Sequence, residues 1–281
     1  MKRVVFSFIA VLVLSLVAGV LVGGCSTESP AKLKIVTSTS LMEYTVKQVA
    51  GDRVDVLNLV PPNQHPGNFD VKPSDVKTLS TAGLFLLHGW PGEGYADKLI
   101  SSANNPNLKV IKANVDGNWM IPPIQLAATD KVMSILGDTD SKNASAYRKS
   151  AEAYKKTILA TESNIKDRLA KANVSSVKVI ASARQADFLQ WAGFDVVATF
   201  ASPQALTPQV VKDLIDKGKA AGVTLVINNL QDGQDAGKAV AQDLGARNLN
   251  LSNFPGGLDN TETWEKAINA NVDILLNAMT K

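Results

Sequence analysis

Between residues 140 and 172 the chain has no glycine, no proline and no strand-like run, while on either side short β-branched segments alternate with helical patterns. The uninterrupted stretch predicts one long helix. Ala144, Tyr147, Ala151, Tyr154, Ile158, Ile165 and Leu169 recur three, four or seven apart and so share a face, and Asn143 is placed to start the helix. At 1.5 Å per residue it would be roughly 45 Å long, longer than either flanking half, and must run past both.

Ahead of this helix, 33–37, 54–60, 84–88 and 108–112 read as strands, with helical patterns at 41–49, 74–81 and 95–102. After it come strands at 177–181, 196–200, 224–228 and 248–252, helices at 209–221 and 234–244, and a closing helix at 261–279. Alternation of this kind builds βαβ units and parallel sheets. The expected fold class is α/β: two lobes, each a small mainly parallel sheet with flanking helices, joined by one long backbone helix. The expected boundaries are 33–138 for the first lobe, 139–173 for the linking helix and 174–281 for the second lobe. A helical joint predicts closure of only a few degrees when a ligand enters between the lobes.

The N-terminus carries a different signal. Lys2 and Arg3 precede an apolar run, 4–22, that ends in Gly23-Gly24-Cys25, and Cys25 is the only cysteine of the 281 residues. Small residues before a lone cysteine predict a lipoprotein signal peptide over 1–24, lipidation of Cys25 and a polar tether over 25–32. The competing reading is an uncleaved membrane span, for which the run is long enough. Lipidation places the protein outside the cytoplasmic membrane, anchored by its first mature residue. Basic and acidic residues number 29 and 26, and two of the bases lie in the expected signal, so the mature chain is nearly neutral and nothing steers it toward nucleic acid. With 45% hydrophobic and 20% charged residues, disorder and a disulfide scaffold are excluded.

In an open α/β sheet a ligand binds beyond the carboxyl ends of the strands. That rule nominates the loops 38–40, 61–69, 89–93, 114–123, 182–184, 201–208, 229–233 and 253–257, in two sets facing each other across a cleft. The candidate ligand-binding residues there are His65, Trp90, Trp119, Arg184 and Asn229. Imidazole ligates metals and makes hydrogen bonds, the tryptophans offer flat apolar faces, Arg184 offers a fork of donors to a carboxylate or phosphate, and Asn229 offers an amide. Each has a plainer reading, as exposed turn, lobe packing or surface ion pair. Trp191 and Trp264 lie in helical patterns and read as core. The stretch Phe254-Pro255-Gly256-Gly257 reads as a turn that brings backbone near the cleft. No Gly-x-Ser-x-Gly, no His-Glu-x-x-His and no credible Ser–His–Asp set is present, so no enzyme is expected.

Several segments, each weak alone, occur in an order that resembles a known family. They are Ile35-Val36-Thr37-Ser38-Thr39, Ala50-Gly51-Asp52-Arg53-Val54, Pro73-Ser74-Asp75-Val76-Lys77-Thr78-Leu79, Leu206-Thr207-Pro208 and Ala241-Gln242-Asp243-Leu244-Gly245-Ala246, behind a lipoprotein-type N-terminus. Across 32–281 the chain resembles the TroA-like solute-binding receptors of zinc and manganese ABC importers. The resemblance implies an ABC permease with a cytoplasmic ATPase as partner, a monomeric receptor, and one divalent metal ion, zinc or manganese, as cargo. It also implies a cleft site of three histidines and one carboxylate, and those positions fall here on Gly67, Gly117, Ser182 and Ser252 or Asn253. None is a match. The chain holds two histidines in all, so a three-histidine site cannot exist in one molecule. What stays open is a reduced metal site from His65 and His88 completed by Glu93 or Asp70, a metal chelate or small organic solute held without direct coordination, or a surface adhesin with a vestigial cleft.

Overall fold

The computed structural model describes residues 32–280. The expected signal segment and Cys25 lie outside the described residues. Among those described, no helix is long and apolar enough to cross a membrane.

The first lobe is a four-stranded parallel sheet in the order β2-β1-β3-β4, formed by β1 (Leu33–Thr37), β2 (Val54–Asn58), β3 (Leu84–Leu87) and β4 (Lys109–Lys112). The second repeats this topology as β6-β5-β7-β8, from β5 (Lys178–Ser182), β6 (Asp195–Phe200), β7 (Leu225–Asn229) and β8 (Arg247–Leu251). Both sheets are wholly parallel. Their central strands are apolar on both faces, because each sheet is covered by helices on two sides. Ile35, Leu84, Leu86, Val179, Ala181, Leu225 and Ile227 point into one central core. Their sequence neighbours Val36, Phe85 and Leu87 pack into an outer core of the first lobe, and Ile180 and Val226 into an outer core of the second.

Helices α1 (Ser40–Ala50), α2 (Pro73–Ser80) and α3 (Tyr95–Ala103) connect the first sheet; α6 (Ala183–Trp191), α7 (Pro208–Ala221) and α8 (Lys238–Leu244) connect the second. Between them lies a helical hairpin, α4 (Pro122–Thr139) and α5 (Ala144–Lys171), and α9 (Trp264–Met279) closes the chain. In α5 the buried residues are Tyr147, Ala151, Tyr154, Ile158, Ile165 and Leu169. The amino-terminal half of α5 meets α1 of the first lobe, where the Tyr154 ring packs edge-to-face on Tyr44 (centroids 6.0 Å), and holds α4 through Gln125 Nε2 to Tyr154 Oη (3.2 Å) and Lys155 to Asp130 (2.8 Å). Its carboxyl-terminal half meets the second, through Arg168 to Asn269 (2.9 Å) and to Asp273 on α9.

Three local expectations need correction. Asn143 makes no capping bond to α5; its amide donates to Asp140 Oδ2 (2.7 Å) in the turn that joins the hairpin. Helix α4 lay hidden because its buried stripe includes Gln125 and Thr129, which blunts the apolar period, although Pro122 and Pro123 at its start are favourable first-turn residues. Helix α6 begins inside the nominated loop 182–184, with Ser182 Oγ accepting the Arg184 N–H (3.4 Å) as its cap.

Candidate functional site

In each sheet the strand order reverses around its first strand, β1 or β5, and a cavity of about 450 Å³ opens between the two sets of strand ends. His65 and Pro66 reach it from the loop after β2, Trp90 and Gly92 from the loop after β3, and Gly117 and Asn118 from the loop after β4. From the second lobe come Arg184 and Asp187 on α6, Asn229 and Gln231 after β7, and Asn253 and Phe254 after β8. Every nominated loop contributes except 38–40 and 201–208.

His65 stands over two glycines. A Cβ at Gly67 would lie 2.9 Å from its Nδ1, and one at Gly92 would lie 3.2 Å from its Cε1, so the ring fills space that side chains there would need. The Gly67 N–H donates to His65 Nδ1 (3.0 Å). Burial and then the Arg184 charge lower the imidazole pKa, and Asp232 opposes them more weakly, so the ring is neutral at pH 7. Arg184 Nε pairs with Asp232 Oδ2 (2.8 Å), and the same oxygen accepts from Asn229 Nδ2 (3.0 Å). Trp90, half-buried, stacks flat on His88 with ring centroids 3.6 Å apart and planes 12° from parallel.

The structure corrects three residues. Trp119 is fully buried, donates from Nε1 to Val115 O (3.0 Å) and accepts at its carbonyl from Trp264 Nε1 (2.9 Å), so it joins the lobes from within the core and does not line the cavity. His88 is also fully buried, hydrogen-bonded through Nε2 to Thr39 Oγ1 (2.7 Å), and burial pushes its pKa down to about 3; it has no open path to a metal ion. Glu93 is 6% exposed and its carboxylate accepts the backbone N–H groups of His88 (2.9 Å), Gly89 (2.7 Å) and Trp90 (3.2 Å), so it shapes the loop under Trp90 and does not line the cavity. Asp70 is exposed and away from the cavity lining. Among the described residues no three His, Cys, Asp or Glu side chains cluster in a way that could hold a metal.

The positions onto which the resemblance places the missing ligands nevertheless surround the cavity. Gly117 and Asn253 line it, Gly67 lies beneath the His65 ring, Ser182 caps α6, and Ser252 Oγ accepts from Gln231 Nε2 (2.9 Å). Sequence reasoning missed Asn118, Asp187 and the buried Gln185 beneath them. Only their places at the helix and loop starts after strand ends mark them out.

Two α/β lobes of matching topology, a helical joint and a cavity at facing switch points define a solute-binding receptor of the rigid-joint kind. The chain belongs to the ZnuA family, zinc-uptake complex component A periplasmic, whose model matches residues 35–278. It is therefore a substrate-binding protein of the metal-uptake ABC importer type. It is similar to the manganese-binding lipoprotein MntA of Halalkalibacterium halodurans, 24% identical over 237 residues and 77% of each chain. It is also similar to the iron-binding protein YfeA of Yersinia pestis, 22% identical over 270 residues, 89% of this chain and 87% of that one. In fold it matches a Mn-bound periplasmic metal binding protein from Candidatus Liberibacter asiaticus, with TM-score 0.77, 17% identity, and coverage of 88% of this chain and 100% of that one. A solved structure of ZnuA matches with TM-score 0.76 and 21% identity, over 89% of this chain and 100% of that one.

Proposed function

We propose that the protein is a monomeric extracytoplasmic receptor, anchored through lipid on Cys25, that takes up a metal-bearing cargo between its lobes and passes it to an ABC permease driven by a cytoplasmic ATPase. The observation that carries this reading is the cavity itself, lined from both lobes at the strand ends in a chain of the metal-uptake family. His65, Trp90, Arg184 and Asn229 contact the cargo. The relatives' metals, manganese and iron among them, support a transition-metal or zinc cargo. Native mass spectrometry with elemental analysis, on protein purified from its host without chelator or affinity metal, tests the reading. A metal-bearing species at one cargo per chain is expected, and a metal-free organic adduct as the sole bound species would sink it.

A further inference from the structure

The polar groups of the cleft are committed in one direction before any cargo enters. Gln185, buried under the cavity floor, donates from Nε2 to Oδ1 of Asn229 (3.0 Å) and to Oδ1 of Asn253 (3.0 Å). Asn118 Nδ2 donates to the same Asn253 oxygen (2.9 Å), and Asn118 Oδ1 accepts the Met120 N–H (2.9 Å). Gln231 Oε1 accepts the Asn253 N–H (3.1 Å). Each lining side-chain amide oxygen, the kind of atom that ligates a cation, thus already accepts from a protein donor, and that of Asn253 accepts from two, which uses both its lone pairs.

The side-chain groups without a partner are N–H. Asn229 Nδ2 uses one hydrogen on Asp232, and Asn253 Nδ2 has only a long bond to Arg184 O (3.4 Å). Arg184 engages Asp232 through Nε, so its two Nη groups keep their donors. Because the Gly67 N–H occupies His65 Nδ1, the neutral ring carries its hydrogen on Nε2. A metal-binding histidine needs the opposite arrangement, a free lone pair toward the metal and the other ring N–H given to an acceptor. The acceptors in reach are Asp187, exposed on the rim, and Asp232, already shared by Arg184 and Asn229. A cavity of about 450 Å³ is also far more room than a single ion fills, and it lies within the range of small-molecule sites.

We infer that the cleft takes its metal as a compact carboxylate chelate, whose oxygens meet Arg184, the Asn229 amide and His65 Nε2–H while its carbon frame lies against Trp90. The chelator completes the metal's coordination, and the protein supplies the donors that a bare cation would repel. This inference rests on the metal-uptake reading above, and the two can fail separately. Isothermal titration of the full chain in detergent, with zinc chloride, manganese chloride, citrate, and preformed zinc–citrate or manganese–citrate as probes, separates them. One citrate complex per chain is expected to bind, with the bare salts not saturating a site. Arg184→Gln should weaken the complex about 10- to 100-fold, the loss expected for a hydrogen bond to a charged group, and Arg184→Lys should weaken it less. Asp187→Asn should leave binding equal or tighter. Stoichiometric binding of a bare salt, weakened by Asp187→Asn and indifferent to Arg184→Gln, would overturn the chelate inference and leave the metal receptor standing. Binding of neither citrate nor its complexes would overturn it as well. Citrate binding equally with and without metal would defeat the metal-uptake reading and keep the donor-lined site. Melting curves of each variant establish that a loss of binding is not a loss of fold.

Discussion

Glu93 gives its carboxylate to three consecutive backbone N–H groups, and this fixes how His88 and Trp90 sit. His88 lies sealed between Trp90 and Trp119, hydrogen-bonded to Thr39, and acts by positioning the Trp90 ring that faces the cavity. Its buried imidazole titrates near 3 against an ordinary value of 6.5, so the unfolded chain binds the extra proton between those limits. The stability it supports is complete above pH 6.5 and drains away as pH falls toward 3, by up to about 1.4 kcal/mol for each pH unit. Urea melts at about pH 7 and about pH 5 check this. His88→Asn is expected to flatten the difference between them, and an unchanged difference would show that other groups carry the acid response. Trp119→Phe makes a second residue-scale test. Losing the indole N–H bond to Val115 and some buried area should cost about 1–3 kcal/mol of stability, with a smaller effect on cargo affinity, since the ring reaches the cleft only through His88 and Trp90.

Among the elements, most were legible in the sequence through their apolar rhythm, including the closing helix and β7 despite buried Asn271 and Asn228, whereas α4 and α6 were not. The eight strands announce themselves through runs such as Leu84-Phe85-Leu86-Leu87, apolar on both faces, and α5 through a stripe in which only Ala144 is less than buried. Helices α4 and α6 carry buried Gln125 and Gln185, which serve tertiary hydrogen bonds that no local pattern encodes, and α4 also buries Thr129, whose hydroxyl donates back to Gln125 O within the helix. The same limit applies to the site. The loops follow from the strand ends, and His65, Trp90, Arg184 and Asn229 all line the cavity, but the direction in which Gln185 turns the amides depends on side chains brought together from α6, β7 and β8. For α5 the element-scale expectation is direct. Ala160 is exposed at its middle, so Ala160→Gly should cost about 1 kcal/mol and Ala160→Pro about 3 kcal/mol or more, read from equilibrium denaturation. A proline that cost no more than the glycine would mean that the helix is not continuous there.

At the scale of the molecule, the two sheets do not behave as separate bodies on a hinge, because one apolar core runs from Ile35 and Leu84 through Trp119, Ile158 and Trp264 to Ile227. Polar bonds between the lobes reinforce it: Ser40 Oγ to Pro255 O (2.7 Å), Gln231 Nε2 to Pro62 O (2.8 Å) and Tyr44 Oη to Glu265 Oε2 (2.7 Å). At Gly256, which packs against the Pro62 ring, φ is +78°, a backbone conformation that glycine adopts freely and other residues rarely do. Opening by tens of degrees would expose that shared core to water, at a cost that grows by about 25 cal/mol for each Å² uncovered. The expected route for cargo is therefore local movement of the loops carrying His65 and Trp90 and of the Arg184 side chain at the start of α6. Small-angle scattering of the empty and loaded receptor should give radii of gyration within about 0.5 Å of each other, near the roughly 18 Å expected for a compact body of this length or somewhat above it. Tyr44→Phe, which removes one bond between the lobes without touching the cavity, should leave the rate of cargo release within about twofold and the loaded radius unchanged, because exit depends on local movement at the cleft and not on parting of the lobes; a several-fold faster release would show that the lobes do part. A large contraction on loading would instead require the core to part at α5, and amide hydrogen exchange along 144–171 would then rise in the empty protein, which locates the hinge that this packing argues against.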